Sequence, residues 1–173
     1  QELNNENLAA LEAGLPNLLR HATNIRDVFG LPCVVAINAF PTDTPAELET
    51  VRKWCQSEGI PVALSEVWAK GGAGGIELAE EVLRLCEAEN HFRFAYDAGE
   101  PIQDKLNHIV QRVYHGTEAV LTPAARRQAQ ELDALGYGNL PVCMAKTQYS
   151  LSDDPSLLGA PDGFAVTVRN LKV

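Results

Sequence analysis

The chain has 173 residues, of which 46% are hydrophobic and 21% are charged, values that are typical of a globular α/β protein. Fourteen basic and 23 acidic residues give a net charge of −9, which argues against nucleic acid or an anionic membrane as the main partner. Since the sequence shows neither an apolar run of membrane-spanning length nor a signal peptide, we expect a cytoplasmic protein.

The first part of the chain predicts helices followed by a buried strand. Residues 6–14 and 16–29 have a helical pattern, with Pro16 suited to the first turn of the second piece and Gly30 to its C-terminal cap. The run LPCVVAIN, residues 31–38, is continuously apolar and rich in β-branched residues, which predicts a strand covered on both faces.

The next elements repeat this alternation of helix and strand. Thr44 and Glu47 form a capping-box pattern, which predicts a helix to about Glu58. Residues 61–65 predict the next strand, and residues 76–89 the helix after it. The remaining predicted elements are strands at 91–97, 118–122, 140–145 and 164–171, the last as an edge strand, and helices at 101–114 and 123–136.

Strands that alternate with helices in this way are typical of βαβ units. We therefore expect an α/β fold, a three-layer, Rossmann-like domain with a mostly parallel sheet over residues 31–173, after a helical lead-in over residues 1–30. The chain begins without methionine and stops inside an alternating run, so we interpret it as part of a longer protein that continues at both ends.

Three loops that follow predicted strands carry aromatic, charged and glycine residues, namely 38–44 (NAFPTDT), 65–75 (SEVWAKGGAGG) and 146–154 (KTQYSLSDD). Because ligands bind beyond the carboxyl ends of parallel strands, we expect all three loops along one sheet edge. Phe40 and Trp68 would then face each other across a slot suited to a flat heteroaromatic ligand. The alternative places Phe40 in the core and leaves Trp68 as a loop anchor.

The glycine loop matches neither standard phosphate motif. Gly72 and Gly74 fit the dinucleotide pattern, but Glu77 stands where its third glycine belongs, which disfavours a dehydrogenase. The string GK[ST] of a phosphate-binding loop occurs nowhere in the chain. The alternative is that this loop is only a glycine-rich connection between a strand and a helix, with Trp68 packed in the core.

Other chemistry is sparse. None of the three loops contains a histidine, so the sequence does not indicate a Ser-His-Asp or Cys-His catalytic arrangement. The four cysteines form no CxxC pair, and we expect Cys33, Cys86 and Cys143, which lie in apolar runs, to be reduced core thiols rather than disulfides or metal ligands. The charged loop residues are candidates for orientation or catalysis: Asp43, Glu66, Lys70, Lys146, Asp153 and Asp154.

Taken together, the strings AINAFPTDTPAEL, VALSEVWAKGGAGGIELAE and GYGNLPVCMAKTQYSLSDD resemble formate–tetrahydrofolate ligase, also called formyltetrahydrofolate synthetase. The resemblance extends to GLPNLLRHATNI and LGAPDGFAVTVRNLKV, so it runs almost end to end. It implies an enzyme that makes 10-formyltetrahydrofolate and ADP from ATP, formate and tetrahydrofolate through formyl phosphate. Phe40 and Trp68 match the two aromatics that sandwich the pterin ring in this family, and Leu64 and Ser65 match the region near the nucleotide.

The resemblance also implies missing parts. The family's phosphate-binding lysine loop belongs to an upstream N-terminal domain, so we expect a C-terminal-half fragment that is inactive alone and has that domain as a partner, in an enzyme that is a homo-oligomer. The expected substrates are ATP with Mg and tetrahydrofolate, with no covalent cofactor and no resident metal. No catalytic residue is assigned. The candidate ligand-loop contacts are Asn38, Asp43, Glu66, Lys70, Gly71, Gly72 and Lys146.

A different class of function stays open beside this one. The same loops would also suit a non-catalytic α/β binding or interaction module, in which they pack against another domain. The two hypotheses differ in whether replacing Phe40 or Trp68 removes folate binding or changes only stability and self-association.

Overall fold

A computed structural model describes residues 5–173, which divide after Phe92 into two compact units. Each unit contains a two-stranded parallel sheet. The expected α/β class with parallel strands is therefore confirmed, whereas the described residues form two short sheets instead of one Rossmann-like sheet. None of the helices within residues 5–173 has the length and apolar character needed to cross a membrane.

In the first unit, the helices over residues 8–23 and 45–57 pack against each other and against residues of its sheet. In chain order its elements are α1 (Leu8–Thr23) with a π-helical turn (Asn24–Val28), β1 (Val35–Asn38), α2 (Pro45–Ser57), β2 (Val62–Ser65), α3 (Val67–Lys70), a 3-10 turn (Gly71–Gly75) and α4 (Ile76–Cys86). Its buried core consists of Ala22 from α1, Cys55 from α2 and Ile60 just before β2. The helix predicted as a lead-in is thus packed into this unit.

Helix α1 differs from the two predicted helical pieces, because it runs unbroken through Pro16. Proline in a helix removes one backbone hydrogen bond, a local cost. Leu18, Leu19 and Ala22, which follow Pro16, pack against the core of the unit, and this burial keeps the helix continuous. Gly30 takes a φ of +69°, the left-handed conformation expected after a helix end.

The second unit is built around its own sheet and helices. Its elements are α5 (Ile102–His108) with a π-helical turn (Ile109–Tyr114), β3 (Glu118–Leu121), α6 (Pro123–Ala134) and β4 (Ala165–Val168). Leu106, Val110, Ala119, Ala125 and Val166 are buried together between these elements. Strand β4 pairs with β3 in parallel, so the predicted last strand is confirmed over part of its length.

Two predicted strands, 91–97 and 140–145, do not form. The buried Lys105 ammonium donates to the carbonyls of Gly138 (2.5 Å) and Leu140 (3.1 Å). The Tyr96 hydroxyl donates to the Val142 carbonyl (3.1 Å) and accepts from its N–H (2.7 Å). Backbone N–H and C=O groups that leave water need hydrogen-bond partners, but these partners can be side chains as well as another strand. In the segment 140–145, Lys105 and Tyr96 supply the hydrogen bonds that a neighbouring strand would otherwise make.

The cysteines are also distributed differently from the prediction. Cys55 is fully buried, Cys33 is half-buried, and Cys86 and Cys143 are exposed. Cys86 ends α4, which has no buried residue, and Cys143 lies in the segment that failed to become a strand. The expectation of core thiols at Cys86 and Cys143 is therefore wrong.

The capping box at the start of α2 is confirmed, and it predicts a measurable effect. The Thr44 hydroxyl accepts from the Glu47 N–H (3.2 Å), so Thr44→Ala should destabilise the first unit by about 1 kcal/mol. Urea unfolding followed by tryptophan fluorescence measures this unit alone, because Trp54 and Trp68 both belong to it. Thr50→Ala is the matched control, since the Thr50 hydroxyl only donates to Ala46 within the helix. Equal losses in both variants would contradict the assignment.

The same cap predicts a pH dependence. Hydrogen bonds from the N–H groups of Thr44 and Asn7 lower the pKa of the Glu47 carboxyl. A carboxyl whose pKa is lower in the folded protein than in the unfolded chain stabilises the fold at pH values above the unfolded pKa. This stabilisation is lost as the pH falls through the pKa of the folded state. Glu47→Gln should therefore unfold more easily than wild type at neutral pH, and the difference should shrink as the pH falls below the usual range of a glutamate carboxyl. Glu49→Gln, which replaces an exposed carboxylate of α2 outside the cap, is the matched control. The measurement is urea unfolding at a series of falling pH values.

Candidate functional site

The candidate site lies where β1 and β2 end. The two strands pair in parallel register with Asn38 opposite Ser65, and the Ala39 N–H donates to the Ser65 carbonyl (2.9 Å) beyond the last pair. Because parallel strands finish at the same edge, the loop after β1 and the loop after β2 emerge side by side. The exposed Asn38 and the buried Ser65 form the base of this edge.

Phe40 and Trp68 meet above this edge. Their ring centroids lie 6.5 Å apart with the planes tilted by 50°, and 47% of Phe40 and 66% of Trp68 are exposed. The prediction that the two rings come together is confirmed, and the alternative that buries Phe40 in the core is wrong. A flat ligand between two parallel rings needs about 7 Å between them, twice a van der Waals contact. The rings must therefore turn towards parallel to admit one.

Asp43 organises the loop that carries Phe40. Its carboxylate Oδ2 accepts the Phe40 N–H at 2.8 Å, and its own N–H donates to the Phe40 carbonyl at 3.0 Å. Asp43 is half-buried, directly before the capped start of α2. The two hydrogen bonds close a turn over residues 40–43.

The turn that carries Trp68 is shaped by glycines. The Glu66 N–H donates to the Gly74 carbonyl (2.9 Å), and a Cβ on Gly74 would lie 2.5 Å from the backbone carbon and oxygen of Glu66. Gly71 has φ +59° and ψ −145°, a conformation that is essentially restricted to glycine. The Lys70 ammonium and the Glu66 carboxylate pair at 2.6 Å across this turn. The backbone geometry thus accounts for Gly71 and Gly74.

Most of the sequence-predicted candidates gather at this one edge. Leu64 and Ser65 end β2 immediately below the Trp68 turn, Leu64 half-buried and Ser65 buried. Gly72 is exposed in the 3-10 turn, and a Cβ there would meet nothing within 4 Å. The residues at the edge are Asn38, Phe40, Asp43, Leu64, Ser65, Glu66, Trp68, Lys70, Gly71 and Gly72.

The third predicted loop belongs to the second unit and follows no strand, so the expectation that it ends a strand of the same sheet is wrong. The Lys146 ammonium donates to the carbonyls of Thr147 (3.0 Å), Ser150 and Ser152 (3.1 Å). Burial lowers the pKa of Lys146, with the nearby Asp153 carboxylate acting in the opposite direction. These contacts make Lys146 the organiser of its own loop.

Two features escaped the sequence reasoning. The first is the structural role of Asp43, which we expected to contact the ligand. An aspartate three residues after Phe40, with Pro41 between them, is a β-turn pattern that could have indicated this role. A cavity of about 800 Å³ in the second unit was not expected at all. Its walls include Leu106, Val142 and Val166. This cavity escaped the sequence reasoning because the apolar pattern predicts a buried strand over residues 140–145. Within residues 5–173, no cluster of three or more His, Cys, Asp or Glu side chains is arranged to hold a metal ion.

The described residues therefore define an α/β protein whose first unit presents an exposed aromatic pair at the carboxyl ends of two parallel strands. The family model of formate–tetrahydrofolate ligase matches residues 1–173, and the chain belongs to this family. Membership implies a ligase that has tetrahydrofolate and ATP as substrates.

Crowding at Gly74 yields a test of the site's architecture. Gly74→Ala should force the Trp68 turn away from Glu66 and destabilise the first unit by about 1–3 kcal/mol, the usual range for overpacking. Gly72→Ala is the matched control, because it has open space and should be neutral. Tryptophan emission and urea unfolding measure both effects. Similar behaviour of the two variants would show that the close approach to Glu66 does not shape the turn.

Proposed function

We propose that this chain supplies the folate-binding platform of a formate–tetrahydrofolate ligase, with Phe40 and Trp68 stacking on the two faces of the pterin ring. The complete enzyme forms 10-formyltetrahydrofolate from formate and tetrahydrofolate through formyl phosphate, at the expense of ATP bound with Mg. The reaction class is supported by the family match over residues 1–173.

One observation carries the assignment of the platform. Two exposed aromatic rings lie 6.5 Å apart at the carboxyl ends of adjacent parallel strands, which is where α/β proteins bind ligands. Exposed aromatic rings are costly to leave in water and gain by stacking on a flat partner, on the order of 1 kcal/mol for each face. Both the pterin of tetrahydrofolate and the adenine of ATP offer such a ring system, and the match of Phe40 and Trp68 to the pterin-stacking aromatics of the family supports the assignment of the pair to tetrahydrofolate.

The energetics of opening the pair are compatible with this role. An aromatic pair contributes about 0.5–1.5 kcal/mol beyond the area it buries, and this contact is lost when a ligand separates the rings. Two stacked faces replace one ring contact, so insertion of a pterin compensates for the opening. Because both rings are exposed, neither has to leave a packed core to turn.

The other residues at the edge take supporting roles in this proposal. Leu64 and Ser65, which end β2 directly before the Trp68 turn, are assigned to the side nearest the nucleotide, as the resemblance to the family implies. Asn38, Lys70 and Gly72 are exposed beside the rings and are the candidates for direct contacts with the ligand. Lys146 is left out, since three carbonyls already bind its ammonium.

The phosphate chemistry requires residues beyond those at this edge. The 173 residues contain no GK[ST] string, and the glycine turn is shaped by its own backbone. As the resemblance to the family implies, we assign formation of formyl phosphate to an N-terminal nucleotide-binding domain that acts together with this chain. ATP-dependent synthesis of 10-formyltetrahydrofolate by this polypeptide alone would contradict that division.

The platform is tested by calorimetric titration of the chain with tetrahydrofolate. Trp68→Ala and Phe40→Ala should each weaken binding about tenfold or more, equal to about 1.4 kcal/mol, with the fold retained. Tyr149→Ala removes an aromatic outside the pair that is about as exposed as Trp68, and it should leave binding unchanged. If the two site variants alter only stability or self-association, the chain is instead a non-catalytic interaction module.

A further inference from the structure

We infer that Asp43 is a positioning residue, which holds Phe40 in stacking geometry through the backbone and does not bind the ligand by its charge. The inference rests on the proposed folate platform. In this inference, the turn over residues 40–43 fixes the Phe40 ring, so that only the Trp68 ring changes its orientation when a ligand binds.

The need for such a residue follows from the exposure of Phe40. With 47% of the residue exposed, the ring has little packing to hold it over the sheet edge. The direction of a surface side chain is then set by its backbone. The Ala39 N–H donates to the Ser65 carbonyl, and from Phe40 onwards the chain leaves the sheet.

Asp43 provides the missing constraint from both ends of the turn. Its carboxylate accepts the Phe40 N–H at 2.8 Å, and its N–H donates to the Phe40 carbonyl at 3.0 Å, so both backbone polar groups of Phe40 are bound by one residue. Pro41 stands at the second position of the turn, where its fixed φ suits the geometry. Thr44 then starts the capped helix α2, which anchors the far end.

The Trp68 side is built differently. Trp68 lies in the single helical turn Val67–Lys70, which passes at Gly71 into a glycine-rich 3-10 turn. Its 66% exposure leaves the indole free of core packing. A ring fixed by Asp43 therefore faces a ring on a glycine-flanked turn, and the change from a 50° tilt towards parallel falls to Trp68.

Substitutions at Asp43 separate positioning from charge. Asp43→Asn keeps an acceptor oxygen at the same distance from the backbone but removes the charge. Asp43→Glu keeps the charge but moves the acceptor by one methylene, and Asp43→Ala removes both. If Asp43 positions Phe40, Asp43→Asn should retain ring contact and tetrahydrofolate binding, whereas Asp43→Glu and Asp43→Ala should lose both. If Asp43 instead contacts the ligand through its charge, Asp43→Glu should bind tetrahydrofolate better than Asp43→Asn.

The first measurement needs no ligand. In the wild-type chain, NMR should show cross-relaxation between the Phe40 and Trp68 rings. This signal should persist in Asp43→Asn and disappear in Asp43→Ala and Asp43→Glu. Glu49→Ala is the control, because it removes an exposed carboxylate of α2 that pairs only with Lys53 in this structure. Ring contact that survives Asp43→Ala, or that Asp43→Asn abolishes, would overturn the inference.

The second measurement is calorimetric titration with tetrahydrofolate. Asp43→Ala should weaken binding about tenfold, with Asp43→Asn within about twofold of wild type. If Asp43 acts through Phe40, the double variant with Phe40→Ala should bind no more weakly than Phe40→Ala alone. Additive losses would instead show an independent ligand contact and overturn the positioning role. Should Asp43→Ala fail to fold, the comparison of Asp43→Asn with Asp43→Glu decides the same question.

The two measurements distinguish failure of this inference from failure of the proposed function. Ring contact that depends on Asp43 in a chain that binds no tetrahydrofolate would remove the folate platform but leave the positioning of Phe40 established. Tetrahydrofolate binding that is lost in Phe40→Ala but unchanged in Asp43→Ala would support the platform and remove Asp43 from it.

Discussion

The parallel register of β1 with β2 is the constraint on which the candidate site depends. Placing Asn38 opposite Ser65 brings the loops after both strands to one edge, and the rings of Phe40 and Trp68 meet there. A slip of one residue would reverse which face each side chain of β2 occupies and would expose Ala63 and Ser65, which are now buried. The hydrophobic pattern that fixes the register therefore also brings the turns that carry the two rings to the same edge.

Around this register the first unit combines a firm base with an open surface. Cys55 of α2 and Ile60 before β2 are buried against α1, and this packing holds the sheet. Above the edge, the rings are constrained only by the turns that carry them. A preformed base with adaptable groups at its rim is what a ligand platform requires, since the scaffold keeps the site in place while the rings adjust.

Local patterns in the sequence were sufficient wherever neighbours along the chain decide the structure. The Thr44 cap, the core of β1 and β2, and the adjacency of Phe40 and Trp68 follow from cap residues, apolar runs and strand order. The strand predicted over residues 140–145 failed because Lys105 and Tyr96, distant in sequence, bind its backbone groups. Contacts of this kind leave no periodic signal in the sequence, and the same holds for the packing that keeps α1 continuous through its proline.

The two lysines of the predicted loops show why residue type alone does not identify a ligand contact. Lys146 donates to three carbonyls of its own loop, so reaching a ligand would leave those carbonyls without a donor. Lys70 is exposed and pairs only across its own turn with Glu66 at 2.6 Å, and exposed ion pairs of this kind contribute at most about 1 kcal/mol. An anionic group of a ligand can therefore compete for Lys70 at small cost. Under the proposed function, the charged side of the platform lies at Lys70, two residues after Trp68 in the same helical turn, and the contacts of Lys146 stabilise its own loop.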